Sequence, residues 1–203
     1  MSDNELDFTN KILDWVMQNI KYIVIGVFVG IAIPLSWNYL EFKKEKQNII
    51  ASDLYSKLIE NLNTSNVDIE IEKQMFDEHD GTIYELLSKF VLSKEEFEKK
   101  NYTLSKKYLE DIIDLDINKS YSDLAKIKIS LINIEEKNYD EALKYLEMVK
   151  MKEAFKQVLL EIKGDIYKYK GDKVKSLEFY TKALEATAIN KENLLMKQNS
   201  VKN

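Results

Sequence analysis

Two stretches of the chain, "EKNYDEALKYLEMV" and "YKGDKVKSLEFYTKAL", align with Ala142 on Ser176, Leu143 on Leu177, Tyr145 on Phe179 and Val149 on Ala183, a spacing of 34 residues. An earlier copy, "EKKNYTLSKKYLEDII", places Tyr102 on Tyr139 and Ser105 on Ala142 at a spacing of 37, as though the intervening loop carried a short insertion. Self-similarity at such a period marks units that cannot bury their own apolar face and must stack on neighbours to form a continuous core. Apolar residues three and four apart make each unit helical. With five glycines and one proline in 203 residues, the chain lacks the turn residues an all-β protein would need.

A spacing of 34 is the period of the tetratricopeptide repeat, in which two antiparallel helices form a hairpin. The third unit carries the features that such a hairpin needs. Gly164 is a small residue where the two backbones approach, and Tyr167 follows three residues on. Gly171 ends the first helix, where a left-handed residue closes the turn without steric cost. Asp172 caps the second helix. Ser176 faces back, Tyr180 packs across, and Ala183 admits the next helix, as Ala142 does one repeat earlier. The middle unit is degenerate: Ser130 replaces the first-helix glycine and Lys137 the turn glycine, with Asn138 beside it able to take the turn. The fold class expected is all-α, an N-terminal transmembrane helix followed by a helical solenoid of this repeat type.

Near the amino end, "YIVIGVFVGIAIPLSWNYL" runs from Tyr22 to Leu40 without a charge. Roughly 20 apolar residues at about 1.5 Å rise cross the hydrocarbon core of a bilayer. Tyr22 at one end, and Trp37 and Tyr39 at the other, suit the aromatic belts of a membrane interface. The run is longer than the apolar region of a cleaved signal peptide, and no small-x-small site follows it, so an uncleaved anchor is expected. Gly26 and Gly30 form a G-x-x-x-G by which two membrane helices can approach. Pro34 removes one backbone donor. Lys11 and Lys21 on one side, against Lys43, Lys44 and Lys46 on the other, leave the orientation undecided by charge. Before the anchor, Phe8, Ile12, Trp15 and Val16 share a helical face. An amphipathic interfacial helix and a simple continuation of the anchor both fit it.

The sequence divides into an N-terminal segment over 1–20, a transmembrane helix over 21–40, a helical connector over 41–81, a repeat domain over 82–189 and a polar C-terminal tail over 190–203 that is expected to fray after a last short helix. In the connector, Ile49, Ile50, Leu54, Leu58 and Leu62 predict a helix that stops in the polar Asn61–Asn66. Gly81 and Thr82 then set up the next helix start.

No cysteine is present, which removes disulfides and thiolate metal sites. All 30 basic residues are lysine and the net charge is −5. Without guanidinium forks, and with net negative charge, nucleic acid is not an expected partner. The single histidine, His79, is expected at the surface or in a linker. Carboxylates such as Glu95 and Glu96 lie beside Lys99 and Lys100 at helical spacing, which describes a solvated face. With no phosphate-cradling loop, metal-ligand cluster or nucleophile beside a base, no enzyme activity, catalytic residue, metal or cofactor is expected. The stacked repeats instead offer a groove lined by the first helix of each unit. Phe90, Lys94 and Phe97, then Leu131 and Glu135, then Asp165 and Tyr169 are the groove candidates; packing between repeats is the other fate open to each. Their mix of aromatic, aliphatic and charged side chains suits an extended or partly unfolded polypeptide.

The order of parts resembles the YfgM family: a short acidic amino segment, an anchor ending in "WNYLEFKKEK", then "ASDLYSKLIE", "YDEALKYLEMV" and "LLEIKGDIYKYKGDKVKSLEFYTKAL". The resemblance covers nearly the whole chain and is strongest from Leu159 to Leu184. It implies a bacterial inner-membrane protein with a cytoplasmic amino terminus, one transmembrane helix and a periplasmic repeat domain. It further implies an ancillary subunit of the SecYEG translocon that associates with the membrane-anchored periplasmic chaperone PpiD and comes close to nascent secretory polypeptides. The family is defined by binding, so no catalytic residue carries over. The middle-turn lysine and the absence of arginine depart from the family pattern. An anchored repeat scaffold for an envelope complex or for stress regulation, unrelated to secretion, is the alternative.

Overall fold

In the computed structural model, residues 3–63, 69–186 and 191–202 are described, and among them there are helices and connecting turns but no strand. The helices are α1 (Asp3–Asn63), α2 (Ile69–Glu78), α3 (Ile83–Glu98), α4 (Tyr102–Leu115), α5 (Lys119–Glu135), α6 (Tyr139–Glu147), α7 (Lys156–Tyr169), α8 (Lys173–Ala186) and α9 (Lys191–Lys202). The chain divides into two compact units, Met1–Ile50 and Ala51–Asn203.

The first unit is the bulk of α1, a continuous helix with Pro34 inside it. From Tyr22 to Leu40 every residue except Ala32 is exposed, including Phe28 at 73% and Trp37 at 71%. The helix is long and apolar enough to cross a membrane, with a mean hydropathy of 1.9 over a stretch of which nothing is buried. A soluble core helix with this composition would be covered by other elements. The amino-terminal residues continue the same helix, so there is no separate interfacial element between Asp3 and the apolar run.

The second unit consists of hairpins built to one plan. α3 pairs with α4, α5 with α6, and α7 with α8, and each pair is joined by a turn of the same geometry. The left-handed residues at these turns are Lys100 (φ 63°), Lys137 (φ 64°) and Gly171 (φ 78°). In each turn that residue donates its N–H to the carbonyl three back, and the next residue donates to the carbonyl five back. The bonds are Lys100 to Phe97 (2.9 Å) and Asn101 to Glu96 (2.8 Å), Lys137 to Ile134 (2.9 Å) and Asn138 to Asn133 (2.8 Å), and Gly171 to Lys168 (3.0 Å) and Asp172 to Tyr167 (2.9 Å). This is the Schellman closure, which satisfies carbonyls the helix end would otherwise leave unpaired. The middle turn differs from the sequence expectation in one respect. Lys137 itself takes the left-handed conformation, while Asn138 lies at φ −86°. The hydrogen-bond pattern fixes the turn by position, so the residue standing there adopts it whatever its side chain. After the turn, the Asn101 side chain accepts from Leu104 N–H (3.5 Å), and Asp172 Oδ1 accepts from Lys175 N–H (3.0 Å).

Small residues stand where the paired helices come closest. Ser105 Oγ donates to the Ser93 carbonyl at 2.7 Å and Ser176 Oγ to the Gly164 carbonyl at 2.9 Å, the same bond one helix turn into each hairpin. In the middle hairpin Ala142 has no hydroxyl to offer, and the buried Ser130 hydroxyl finds no partner among the described residues. At Gly164 the approach is tightest: a Cβ there would lie 2.6 Å from Tyr180 Cδ1 and 2.7 Å from Cε1. Tyr180 is fully buried and its hydroxyl bonds Asp165, so the ring has nowhere to retreat.

Successive hairpins share apolar clusters. Leu86, Leu109, Ile112, Ala125, Ile129 and Ile132 join α3, α4 and α5, while Ile127, Ala142, Leu146, Leu159, Ile162 and Ile166 join α5, α6 and α7. The connector is helical and also packs: Ala51 and Leu54 contact Met75, and Leu58 contacts Leu92 and Tyr108, so 51–62 and α2 belong to the folded body. The polar tail, expected to fray after a last short helix, forms helix α9 over Lys191–Lys202, which buries Leu194 and Val201 with Tyr180 and Ala183. Lys197 of α9 reaches Glu161 (2.8 Å) and Asp165 (2.7 Å). Seven residues separate Leu194 from Val201, two helical turns, so a single apolar stripe is enough to dock an otherwise polar helix. His79 lies in the α2–α3 linker, one of the two places expected for it, and is buried there at 5% exposure. Its carbonyl accepts from Thr82 Oγ1 (2.8 Å) at the α2–α3 turn. The expected turn at Asn61–Asn66 lies partly outside the described residues, with α1 ending at Asn63.

Gly164→Ala should destabilise the folded unit by about 1–2 kcal/mol, because overpacking against the Tyr180 ring outweighs the gain in helix propensity. Chemical denaturation of the full chain in detergent, followed by far-UV circular dichroism, measures this. In the same assay Lys137→Gly should stabilise by about 0.5–1 kcal/mol, since a non-glycine left-handed residue costs about 1–2 kcal/mol and glycine returns part of that as unfolded-state entropy.

Candidate interaction surface

The first helices of the hairpins, α3, α5 and α7, carry the groove candidates, and the structure gathers four of them in one place. Phe90, Lys94 and Phe97 of α3 face Leu131 of α5 across a cleft of 130 Å³, with Ser93, Ser105 and Leu109 lining it from α3 and α4 and Lys128 and Ile132 from α5. Helical periodicity explains the gathering: 90, 94 and 97 are one turn apart, as are 128, 131 and 132. Phe90 leans on Tyr121, their ring centres 6.3 Å apart, and Phe97 on Tyr102 at 5.6 Å. These aromatics are half-buried, so their inner faces serve the core and their outer edges the cleft. The serine pair lies at its base, and because Ser105 Oγ already donates to the Ser93 carbonyl, Ser93 Oγ is the donor in the 3.0 Å contact between the two hydroxyls.

The remaining candidates fall elsewhere. Glu135 is exposed one turn beyond Leu131. Asp165 is half-buried and taken up by Tyr180 and Lys197, which ties α7 to α8 and α9. Tyr169 is 58% exposed and stacks on Tyr139 at 6.1 Å and 12° between ring planes. Tyr167 stacks on Phe179 at 5.3 Å inside its own hairpin. In α1, a side chain built on Gly26 or Gly30 would meet nothing within 4 Å.

Lys128 was not singled out by sequence reasoning. It sits three residues before Leu131, so the α5 face that carries Leu131 and Ile132 could have signalled it. Asp123 was also missed, and it sets the geometry of the surface from behind. Its carboxylate is buried and accepts from Lys126 Nζ (2.9 Å) and from the backbone N–H groups of Lys150 (3.0 Å) and Met151 (2.8 Å). The α6–α7 connection is thereby pinned to α5. Burial alone would raise the carboxyl pKa, but the Lys126 ammonium and the two backbone donors outweigh it and hold Asp123 below the usual aspartate range. Elsewhere burial raises Glu85, although it accepts from Gly81 N–H (2.8 Å) and lies 3.4 Å from Lys89. Burial, then the neighbouring carboxylates Asp165 and Glu72, push the Tyr180 and Tyr108 phenols far above their ordinary value, so both act as donors.

No cluster of three or more metal-ligating side chains occurs among the described residues. What the arrangement provides is a set of exposed helix faces, one of them cleft, with apolar and cationic groups side by side. A family model described as a tetratricopeptide repeat-like domain matches residues 13–203. The chain belongs to that family. Among solved structures it is similar to the crystal structure of MamA protein, with a TM-score of 0.52 and 14% identity over 76% of this chain and 90% of that one. At that identity the likeness is one of fold. No curated protein matches the chain. As a tetratricopeptide repeat-like chain it is a helical scaffold of the kind that presents surfaces for protein–protein contact.

Asp123→Asn should lower stability at neutral pH by about 3 kcal/mol, because it leaves the Lys126 ammonium buried without its counter-charge. The sign with pH follows from the lowered value. Asp123 stabilises the fold above the unfolded aspartate pKa, and this contribution fades as the pH falls through the folded one. Denaturation between pH 7 and pH 3 should therefore show the gap between wild type and variant narrowing towards acid.

Proposed function

We propose that this chain is a membrane-anchored, non-enzymatic scaffold that holds other polypeptides beside a bilayer. The observation that carries the reading is that one helix, α1, supplies both an exposed apolar run and, past Ala51, residues of the repeat body's own core. An apolar run on the same chain as a repeat body suits a protein whose task is to localise a binding surface. The repeat faces have the aromatic and aliphatic side chains that polypeptide recognition uses.

The resemblance to the YfgM family supports a finer form of the proposal. In it the protein is a single-pass subunit of a bacterial inner membrane, amino end cytoplasmic and repeats periplasmic. It is ancillary to the SecYEG translocon and links it to a PpiD-like chaperone during export. The groove on α3, α5 and α7 is the proposed contact surface, and Gly26 with Gly30 the proposed approach for a partner helix in lipid.

Mild-detergent purification of the full chain from its native membrane, followed by mass spectrometry, is expected to recover translocon and chaperone subunits in stoichiometric amounts. Their absence from the purified complex would remove the translocon assignment. An alkaline-phosphatase fusion after Asn203 should be active if the repeats are periplasmic; an inactive fusion reverses the orientation.

A further inference from the structure

The chain carries a net charge of −5, yet the cleft between α3 and α5 is lined by two lysines and by no aspartate or glutamate. Lys94 stands on one side and contacts Glu98 at 3.5 Å, with its side chain 74% exposed. Lys128 stands on the other and forms no ion pair or hydrogen bond among the described residues. Between them Phe90, Phe97 and Leu131 make an apolar recess, and Leu131 is 43% exposed. The volume, 130 Å³, is close to that of the roughly 150 Å³ apolar cavity that takes up one benzene. It is room for a single large side chain, not for a folded domain or a helix.

From this geometry we infer that the cleft is an anchor site for one aromatic or leucine side chain flanked by carboxylates, on an acidic polypeptide segment. The inference rests on the scaffold reading and deepens it by naming the partner's chemistry. The apolar side chain enters between Phe90, Phe97 and Leu131. Carboxylates on neighbouring residues of the segment meet Lys128 and Lys94 at the rim. Exposed ammonium groups add modest energy but set partner choice, because a basic segment meets like charge there. Lys128, having no partner to release among the described residues, is the stronger determinant. Lys94 must first leave Glu98.

The test uses the full chain in nanodiscs of neutral phosphatidylcholine, and fluorescein-labelled peptides capped at both ends so that no terminal carboxylate contributes. The parent peptide has one phenylalanine between pairs of glutamates. Its companions replace the phenylalanine with alanine, or the glutamates with lysines. Fluorescence anisotropy is expected to show saturable binding of the parent peptide, at least about tenfold weaker binding of either companion, and at least about fivefold loss with Lys128→Glu. Lys128 is exposed and outside every core cluster, so this variant should fold as the wild type does, which circular dichroism verifies. The inference is overturned if the parent peptide fails to bind by about 1 mM, if the lysine peptide binds as tightly, or if Lys128→Glu changes nothing. Failure here, with polypeptides still co-purifying from membranes, would leave the scaffold reading standing. Binding that depends on Lys128, with no polypeptide recovered from membranes, would remove the scaffold reading and keep the site.

Discussion

In every hairpin of the repeat unit the two helices come nearest at one level, and the side chains at that level decide whether they can. Ser93 meets Ser105 and Gly164 meets Ser176, and the small residues Ser130 and Ala142 occupy the corresponding positions of the middle hairpin. The third pair approaches so closely that even a methyl group on Gly164 would enter the Tyr180 ring. Close approach is what allows Ser105 and Ser176 to hydrogen-bond a carbonyl inside the partner helix, turning a steric concession into a fixed register. The middle hairpin shows the same geometry without that bond. Its Ser130 hydroxyl has no partner among the described residues, and its helices share the cluster of Ile127, Ala142 and Leu146 instead.

Once the register is fixed, stacking follows. Each hairpin presents an apolar face that its own two helices cannot cover, and the neighbouring hairpin covers it. At one end α2 and the residues from Ala51 onward cover α3. At the other, α9 covers α8 through Leu194 and Val201. Charged groups complete the arrangement: Lys89 with Asp111 inside the first hairpin, and Lys106 with Glu136, Lys197 with Asp165 and Asp123 with the α6–α7 connection between successive elements. These contacts, with the shared apolar clusters, tie each hairpin to the next. The cleft between α3 and α5 is a consequence of that packing rather than of any local loop.

The hairpin plan was legible because it is written in residue sizes at fixed spacings, and small residues are informative where bulk is the expected default. The turn was legible at Gly171 but less so at Lys100 and Lys137, because lysine carries no sign of a left-handed backbone; only alignment with Gly171 points to it. The docking of the helix over 191–202 was hard to see because its two buried residues lie among ten polar or exposed ones, too sparse a stripe to separate from a solvated tail. Burial of His79 and the ties of Asp123 to Lys150 and Met151 left no periodic trace, since each depends on a segment distant in sequence.

The sequence by itself determined that this chain is helical, that its helices pair in repeating hairpins and that one apolar run has the length to cross a bilayer. Those properties depend on side-chain size, charge and periodicity within a few turns of helix. Tertiary structure alone decided which faces remain open. Whether a phenylalanine at position 90 or 97 is core or surface, whether Asp165 is free or held by Lys197, and whether Lys128 stands beside Leu131 at the mouth of a cleft all depend on the distance between layers. That distance is set by packing between hairpins and not by the sequence of any one of them.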